Sequence, residues 1–248
     1  MKKKLFCLMV MLVLVFSSAA MSEAAANPDP YRTAGAHVTF GTYPQTAEGT
    51  DETPIEWLVL EYDEENHRSF LLSYYGLDAK PYNRYRDNTT WETCTLRTWL
   101  NDDFLNRAFT PEEQTAILTT DVGNGRDDCY GWNTPGGKDT QDKIFLLSYA
   151  EAHKYFNIQF GVKNNMAARM SPTDYAYKAG AYYFTHNKTG DGNVTSWWSL
   201  RSPGCYRYCS AVVGTDGSLY HTYVDSNTCC VRPAFWLDLD ADVLARQE

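Results

Sequence analysis

Short segments in which apolar and polar residues alternate lie in two parts of the chain, residues 36–75 and residues 209–237. Alternation with a period of two predicts β-strands that bury one face. In the first part, the polar segment 63–66 separates two such runs and predicts a hairpin. The second part predicts another hairpin, in which the Gly-Thr-Asp-Gly turn at 214–217 joins its two strands.

Helical spacing occupies the middle of the chain. Apolar residues recur there at intervals of three and four, which predicts one buried helical face: Leu96, Trp99, Leu100 and Phe104. The segments 110–113 and 148–151 each have the sequence of a capping box and predict helix starts. Between them, the apolar run 144–147 predicts a buried strand, and a last strand is predicted at 231–237.

The order of these elements is strands, then helices, then an antiparallel meander of strands. This order favours an α+β fold over a parallel α/β sheet. No Pro- or Ser-rich linker interrupts the sequence after its first 26 residues. We therefore expect one domain, spanning residues 27–248.

Residues 1–26 have the pattern of a secretory signal peptide. Three lysines precede an apolar run of residues 5–16, and small residues follow it as a cleavage zone. The apolar run is shorter than the roughly 20 residues that a membrane-spanning helix needs. We expect cleavage, no membrane insertion of the remaining chain, and a location outside the cell or at its surface.

Composition narrows the classes of partner. The formal net charge is −9, whereas a broad nucleic-acid interface needs clustered Lys and Arg. Six cysteines follow the predicted signal peptide, so the exported chain has the thiols for disulfide bonds: Cys94, Cys129, Cys205, Cys209, Cys229 and Cys230. The sequence alone does not choose among their pairings.

Common catalytic motifs are missing from the sequence. It has no Gly-x-Ser-x-Gly, no phosphate-binding Gly-rich loop and no His-Glu-x-x-His, and its five histidines are scattered. Acidic stretches at 191–193 and 238–242 are similar to calcium loops, but they lack the ligand spacing and the closing Glu. Calcium binding is therefore a weak expectation, and no catalytic residue is predicted.

The segment 205–230 has a composition typical of adaptable recognition surfaces. Tyr supplies contact area at low entropic cost, and polar residues supply hydrogen bonds. The candidate ligand-binding residues are Tyr206, Arg207, Tyr208, Tyr220, His221, Tyr223, Asp225 and Asn227. The alternative is that Tyr simply suits strands and half-buried surfaces.

Four of the cysteines lie in the same segment. They fit two disulfides that stabilise the meander, as expected of an exported protein. They also fit a soft-metal site, because thiolates favour copper(I) or zinc. Cys205 and Cys209 are four residues apart and would face the same side of an extended strand.

Six ordered motifs resemble an uncharacterised domain family that is common in secreted and surface proteins of gut Firmicutes. They are Gly41–Gln45, Pro54–Trp57, Arg97–Asn101, Asp142–Ser148, Leu200–Gly204 and Val231–Ala234. In the family the fifth motif runs Trp-Trp-Leu-Arg-Ser, so Ser199 is an extra residue here. The resemblance covers residues 36–238.

The closing part of the sequence also resembles C-type-lectin-like domains of the formylglycine-generating-enzyme kind. This resemblance implies an α+β domain with a small late sheet, long loops and, in some bacterial and phage relatives, a diversified ligand-binding surface. The enzymes of this fold bind copper(I) through two cysteines. Cys205-Tyr-Arg-Tyr-Cys209 is similar to that stretch but one residue shorter.

We therefore expect a secreted binding module without a cofactor, which recognises a carbohydrate or a protein or peptide ligand through 205–230. One alternative is a copper(I)-dependent oxidase that uses Cys205 and Cys209. Another is a structural or display domain of the cell surface. Trp197, Trp198 and Trp236 are expected beneath the surface. Arg201 and Arg232 are expected to bind buried acidic groups or carbonyls, with the alternative that either lines a pocket.

Overall fold

The computed structural model describes residues 29–126, 131 and 133–245. The predicted signal peptide and Cys129 lie outside the described residues. The strands in chain order are β1 His37–Tyr43, β2 Thr53–Asp63, β3 Arg68–Ser73, β4 Asp78–Ala79, β5 Thr120–Val122, β6 Thr140–Asp142, β7 Tyr183–Lys188, β8 Val194–Ser196, β9 Trp198–Pro203, β10 Cys209–Val213, β11 Leu219–Tyr223, β12 Cys230–Val231 and β13 Ala234–Asp238. The helices are α1 Thr95–Trp99, α2 Leu105–Ala108, α3 Pro111–Ala116, α4 Tyr149–Phe156, α5 Asp174–Ala179 and α6 Asp242–Ala245.

Two larger sheets organise these strands. The first sheet has the order β1-β2-β3-β13 and is antiparallel throughout. The second sheet has the order β11-β10-β9-β12-β4, with β12 parallel to β9 and the other pairs antiparallel. The pairs β5–β6 and β7–β8 form small additional ladders. The α+β class is confirmed, and β9, β10 and β11 form the late meander.

The predicted helix starts are confirmed by their hydrogen bonds. At α3, the Glu113 amide donates to Thr110 Oγ1, and the Thr110 amide donates to Glu113 Oε2 at 2.8 Å. Ser148 and Glu151 make the same reciprocal pair at α4. The predicted helical face at 96–104 also forms, and a π-turn at Leu100–Phe104 connects α1 to α2.

The predicted strand at 231–237 is wrong in its continuity. Pro233 has no amide hydrogen for a ladder, and the chain changes sheets there. β12 ends in the second sheet, and β13 starts in the first sheet. Arg232 and Pro233 are therefore the crossing point between the two sheets.

The apolar run 144–147 is buried as predicted, but it forms only one isolated bridge, between Phe145 and Ala234. Side chains take the place of a neighbouring strand. The side-chain Oδ1 of Asn101 accepts hydrogen bonds from the backbone amides of Lys143 and Ile144. Arg201 Nη1 donates to the backbone carbonyl of Leu146. These contacts satisfy buried backbone groups without a ladder.

An aromatic cluster fills the core against the first sheet. Trp57 and Phe235 meet edge to face with ring centres 4.7 Å apart, and Phe109 packs 5.7 Å from Phe235. The Trp57 indole N–H donates to the Phe40 carbonyl at 2.8 Å. Within residues 29–126, 131 and 133–245, no helix has the length and apolar character to cross a membrane.

Candidate ligand-binding site

The turn between β9 and β10 carries the first part of the site. The Gly204 amide donates to the Cys209 carbonyl, and the Cys209 amide donates to the Tyr206 carbonyl, each at 2.9 Å. Gly204 permits this close approach, because a Cβ there would lie 2.9 Å from the Cβ atoms of both Cys209 and His221. The tight turn directs Tyr206 and Tyr208 outward from two buried cysteines.

Three tyrosines form a stacked row on the surface. The rings of Tyr206 and Tyr208 are 5.3 Å apart with an interplanar angle of 14°. The rings of Tyr208 and Tyr223 are 6.1 Å apart with an angle of 27°. The exposed fractions are 46%, 37% and 47%, so the rings contact one another and also remain available to a ligand. We call these residues the tyrosine row.

Arg86 continues the row at the Tyr223 end. Its guanidinium carbon lies 3.8 Å from the centre of the Tyr223 ring, and its Nε donates to Asp225 Oδ1 at 2.9 Å. The cation contributes an attraction to the ring, and Asp225 fixes its orientation. Sequence reasoning missed Arg86, because it lies far from the meander in the chain and no local motif identifies it.

Backbone hydrogen bonds from other segments hold the turn in place. The Thr89 amide donates to the Arg207 carbonyl at 2.9 Å, and the Val224 amide donates to the Tyr208 carbonyl at 3.0 Å. Thr134 Oγ1 donates to the Cys205 carbonyl at 3.2 Å. The row is therefore supported by three parts of the chain.

Five of the eight predicted ligand-binding residues lie in the row or next to it, His221 borders the turn that carries it, and Tyr220 and Asn227 lie outside it. Tyr206, Arg207, Tyr208, Tyr223 and Asp225 are the group of five. Tyr220 points to the opposite face of β11, since residues one apart on a strand alternate, and it stacks on Trp197 at 5.7 Å. His221 shares the Tyr223 face and is exposed, and Asn227 is exposed beyond the end of β11.

The predicted supporting tryptophans divide between the sheets. Trp198 is fully buried in β9, and its indole N–H donates to the Ala168 carbonyl. Trp236 lies in β13 of the first sheet, where it stacks on Phe70 at 5.0 Å. It therefore does not lie beneath the tyrosine row, contrary to the prediction, because the chain changes sheets at Pro233.

The two predicted structural arginines are both buried but differ in their partners. Arg201 makes a two-point ion pair with Glu151 and donates to the Leu146 carbonyl. Arg232 donates to the Ser73 carbonyl and lies 4.9 Å from the Trp198 ring centre. Neither side chain belongs to the row, and Arg201 also lines a cavity.

The five described cysteines are buried free thiols. Cys205 and Cys209 bracket the turn, and each thiol influences the pKa of the other. Burial raises the pKa of both thiols, and that of Cys209 reaches about 11. The thiol form therefore predominates at neutral pH. The predicted disulfides stay a prediction.

The two acidic stretches similar to calcium loops are held by local hydrogen bonds. Asp191 accepts from the Asn193 side chain at 2.7 Å, and Asp238 accepts from the Asp240 amide at 3.0 Å. In the described part of the chain, no three His, Cys, Asp or Glu side chains converge as a metal site would require.

Two cavities are lined by residues outside the row. One of about 510 Å³ is lined by Arg126, Tyr149 and Arg201, and by Ser202 and Pro203 just before the turn that carries Tyr206. The other, of about 690 Å³, lies over the first sheet, where His37 Nδ1 contacts the Glu56 carboxylate. This histidine–carboxylate contact arises from strand pairing that the sequence analysis did not resolve.

The chain matches the model of a protein family, but no curated protein and no solved structure. The family model described as Domain of unknown function (DUF6273) matches residues 66–239, which include Arg86 and the whole tyrosine row. The match covers more than half of the sequence and agrees with the resemblance to an uncharacterised domain family. The chain belongs to the DUF6273 family.

Proposed function

We propose that the protein is a secreted binding module that recognises a carbohydrate or protein ligand through the tyrosine row. The observation that carries the proposal is the stack of Tyr206, Tyr208 and Tyr223, capped by Arg86, on a surface that leaves each tyrosine more than a third exposed. Eight aromatic side chains are exposed in the described residues, and three of them, Tyr206, Tyr208 and Tyr223, stack in one row, which concentrates exposed aromatic surface in a single patch.

The chemistry of the row supports ligand binding. Each tyrosine offers a ring edge and a hydroxyl, and stacking restricts ring motion before any ligand arrives. Binding then loses less side-chain entropy than it would on separate flexible residues. Arg86 and Arg207 add donors for carboxylate or carbonyl groups, on a chain whose overall charge is negative.

The predicted leader and the meander support the rest of the proposal. A cleaved leader at 1–26 would place the module outside the cell or at its surface. The antiparallel meander with its outward turns is consistent with a C-type-lectin-like arrangement, in which late loops carry the ligand.

Glycan and peptide arrays test the proposal. We expect one array to yield a ligand, and we expect Tyr206→Ala and Tyr223→Ala each to weaken its binding at least about tenfold, as at interface hot spots. Tyr177→Ala is the matched control, because Tyr177 is 51% exposed and its ring contacts Tyr183 edge to face.

Equal binding by all three variants would remove the tyrosine row as the site. Blank arrays would favour the alternative of a structural or display domain at the cell surface. If only one array yields a ligand, that array shows whether the ligand is a glycan or a peptide.

A second candidate function is a copper(I)-dependent oxidase, favoured by the contact between Cys205 and Cys209. Two neighbouring sulfurs have the donor softness that copper(I) prefers. Their raised pKa values oppose it, because metal binding must release both protons. Titration of the reduced protein with copper(I) under argon tests this candidate. Stoichiometric binding that Cys209→Ser abolishes would support it, and binding unaffected by that change would exclude this pair.

A further inference from the structure

We propose that Cys205 and Cys209 become joined by a disulfide in the exported protein, and that this crosslink fixes the turn carrying Tyr206 and Tyr208. The first half of the inference concerns only the two cysteines. The second half, that the crosslink adjusts ligand affinity, rests on the proposed function of the row.

The geometry of the turn favours this pairing. A disulfide requires Cα atoms about 4.4–6.8 Å apart. Gly204 and Cys209 face each other across the base of the turn, linked by a 2.9 Å hydrogen bond, and Cys205 is the next residue. The two thiols are close enough for each to influence the pKa of the other.

The other described cysteines have different partners. Cys94 donates to the Trp91 carbonyl at 3.5 Å and accepts from the Arg97 amide at 3.4 Å, at the start of α1. Cys230 donates to Ser196 Oγ at 3.3 Å.

Cys229 contacts the side chains of Thr228 and Ser199. Cys205 and Cys209 differ from these three cysteines, because they bracket one tight hydrogen-bonded turn.

The reaction balances with a disulfide as oxidant. Cys205 and Cys209 together lose two protons and two electrons as their S–S bond forms. The disulfide of an extracytoplasmic thiol oxidoreductase, or a small disulfide such as oxidised glutathione, accepts them and becomes two thiols. Burial keeps both cysteines protonated, so uncatalysed exchange in the folded protein is slow. Formation during export, while the turn is still open, avoids this barrier.

The crosslink would lie directly beneath the exposed rings. It closes a loop whose three inner residues are Tyr206, Arg207 and Tyr208. Hydrogen bonds from Thr89 and Val224 hold this loop from outside, and the covalent bond would hold it from inside. Restricting the backbone of these residues preorganises two of the three rings of the row.

Mass mapping tests the pairing. The full chain is secreted by a host with an oxidising export pathway, its free thiols are alkylated in denaturant, and non-reduced peptides are sequenced. We expect a linked Cys205–Cys209 peptide, lighter by two hydrogens than its reduced form. Alkylation of both residues, a bond from either to Cys129, or bound copper would each overturn the pairing.

Limited proteolysis tests the effect on the turn without a ligand. Trypsin must draw the chain around exposed Arg207 into an extended conformation. We expect cleavage after Arg207 to be several-fold slower in the oxidised protein than in the reduced one. Cleavage after Lys163, in an exposed loop elsewhere, is the matched control and should not change with redox state. Equal Arg207 cleavage in both states would overturn the stabilising role.

Affinity completes the test. We expect reduction to weaken binding of an array-identified ligand about threefold to tenfold, as for the loss of preorganised side chains. A confirmed crosslink with unchanged affinity would overturn the second half alone. Because Tyr206→Ala and Tyr223→Ala test the row independently, failure of the disulfide is distinguishable from failure of the binding function.

Discussion

The aromatic core and the tyrosine row are both built from contacts between aromatic rings, but the core rings are buried and the row rings are exposed. In the core, Trp57 and Phe235 are fully buried and meet edge to face at 4.7 Å. In the row, Tyr208 and Tyr223 are nearly parallel at 6.1 Å, with 37% and 47% of their surfaces exposed. Both separations lie in the range of aromatic pairs, whereas the contact with solvent differs greatly.

This difference determines whether a ring mainly stabilises the fold or remains available to a ligand. A buried ring contributes through the apolar area removed from water and through close packing, so its loss leaves a cavity. An exposed stacked ring contributes mainly the ring–ring attraction, and much of its apolar surface remains for a partner. We therefore expect substitutions in the two regions to affect different measurements.

Trp57→Ala should give the largest effect on stability. We expect it to lower the free energy of unfolding by about 3–5 kcal/mol, because it creates a cavity and leaves the Phe40 carbonyl without its donor. Tyr223→Ala should cost about 1 kcal/mol. Denaturant unfolding of both variants checks this, and equal losses would contradict the distinction between core and row.

The core thiol Cys94 should give an intermediate effect that depends on pH. Burial raises its pKa to about 12, against about 8.5 in an unfolded chain. Between these values the unfolded state loses the proton while the folded state keeps it, so stability falls as pH rises. We expect a loss of about 1.5 kcal/mol for this thiol between pH 8.5 and 10.

Unfolding of the reduced protein and of Cys94→Ala at pH 7, 8.5 and 10 measures this contribution. The variant should be less stable at pH 7 and should show a shallower decline with pH. Parallel declines in the two proteins would show that the Cys94 thiol is not protected as its burial indicates.

Arg86→Lys should give the smallest effect. Lysine keeps a positive charge beside Asp225, but it loses the planar group that stacks on Tyr223. We expect about 0.5 kcal/mol or less in unfolding free energy. A loss comparable with that of Trp57→Ala would show that the row stabilises the fold as the core does, and would contradict the distinction between the two regions.

The elements that the sequence predicted correctly depend on residues close to one another in the chain. The errors come from contacts between residues that are distant in the chain. The capping boxes at α3 and α4 and the turn at 214–217 lie within a few residues, so sequence was sufficient for them. The grouping of Tyr206 with Tyr208 is likewise local. The strand predicted at 144–147 failed because the partner of its backbone is the side chain of Asn101, more than 40 positions earlier.

The same limit applies to the site. The change of sheet at Pro233 moved Trp236 away from the row, and strand alternation turned Tyr220 to the opposite face. Arg86 joins the row through its contact with Asp225, 139 positions later in the chain. Residue composition indicated the region, and only the tertiary arrangement selected its members.

The contact between Arg86 and Asp225 joins positions 139 residues apart. Long-range contacts of this kind form late, because the intervening chain must first be organised. During synthesis, a chain that has presented only its earlier half has Arg86 but none of the tyrosines of the row. The complete row is therefore a property of the fully folded chain, and a truncated or misassembled molecule would lack it.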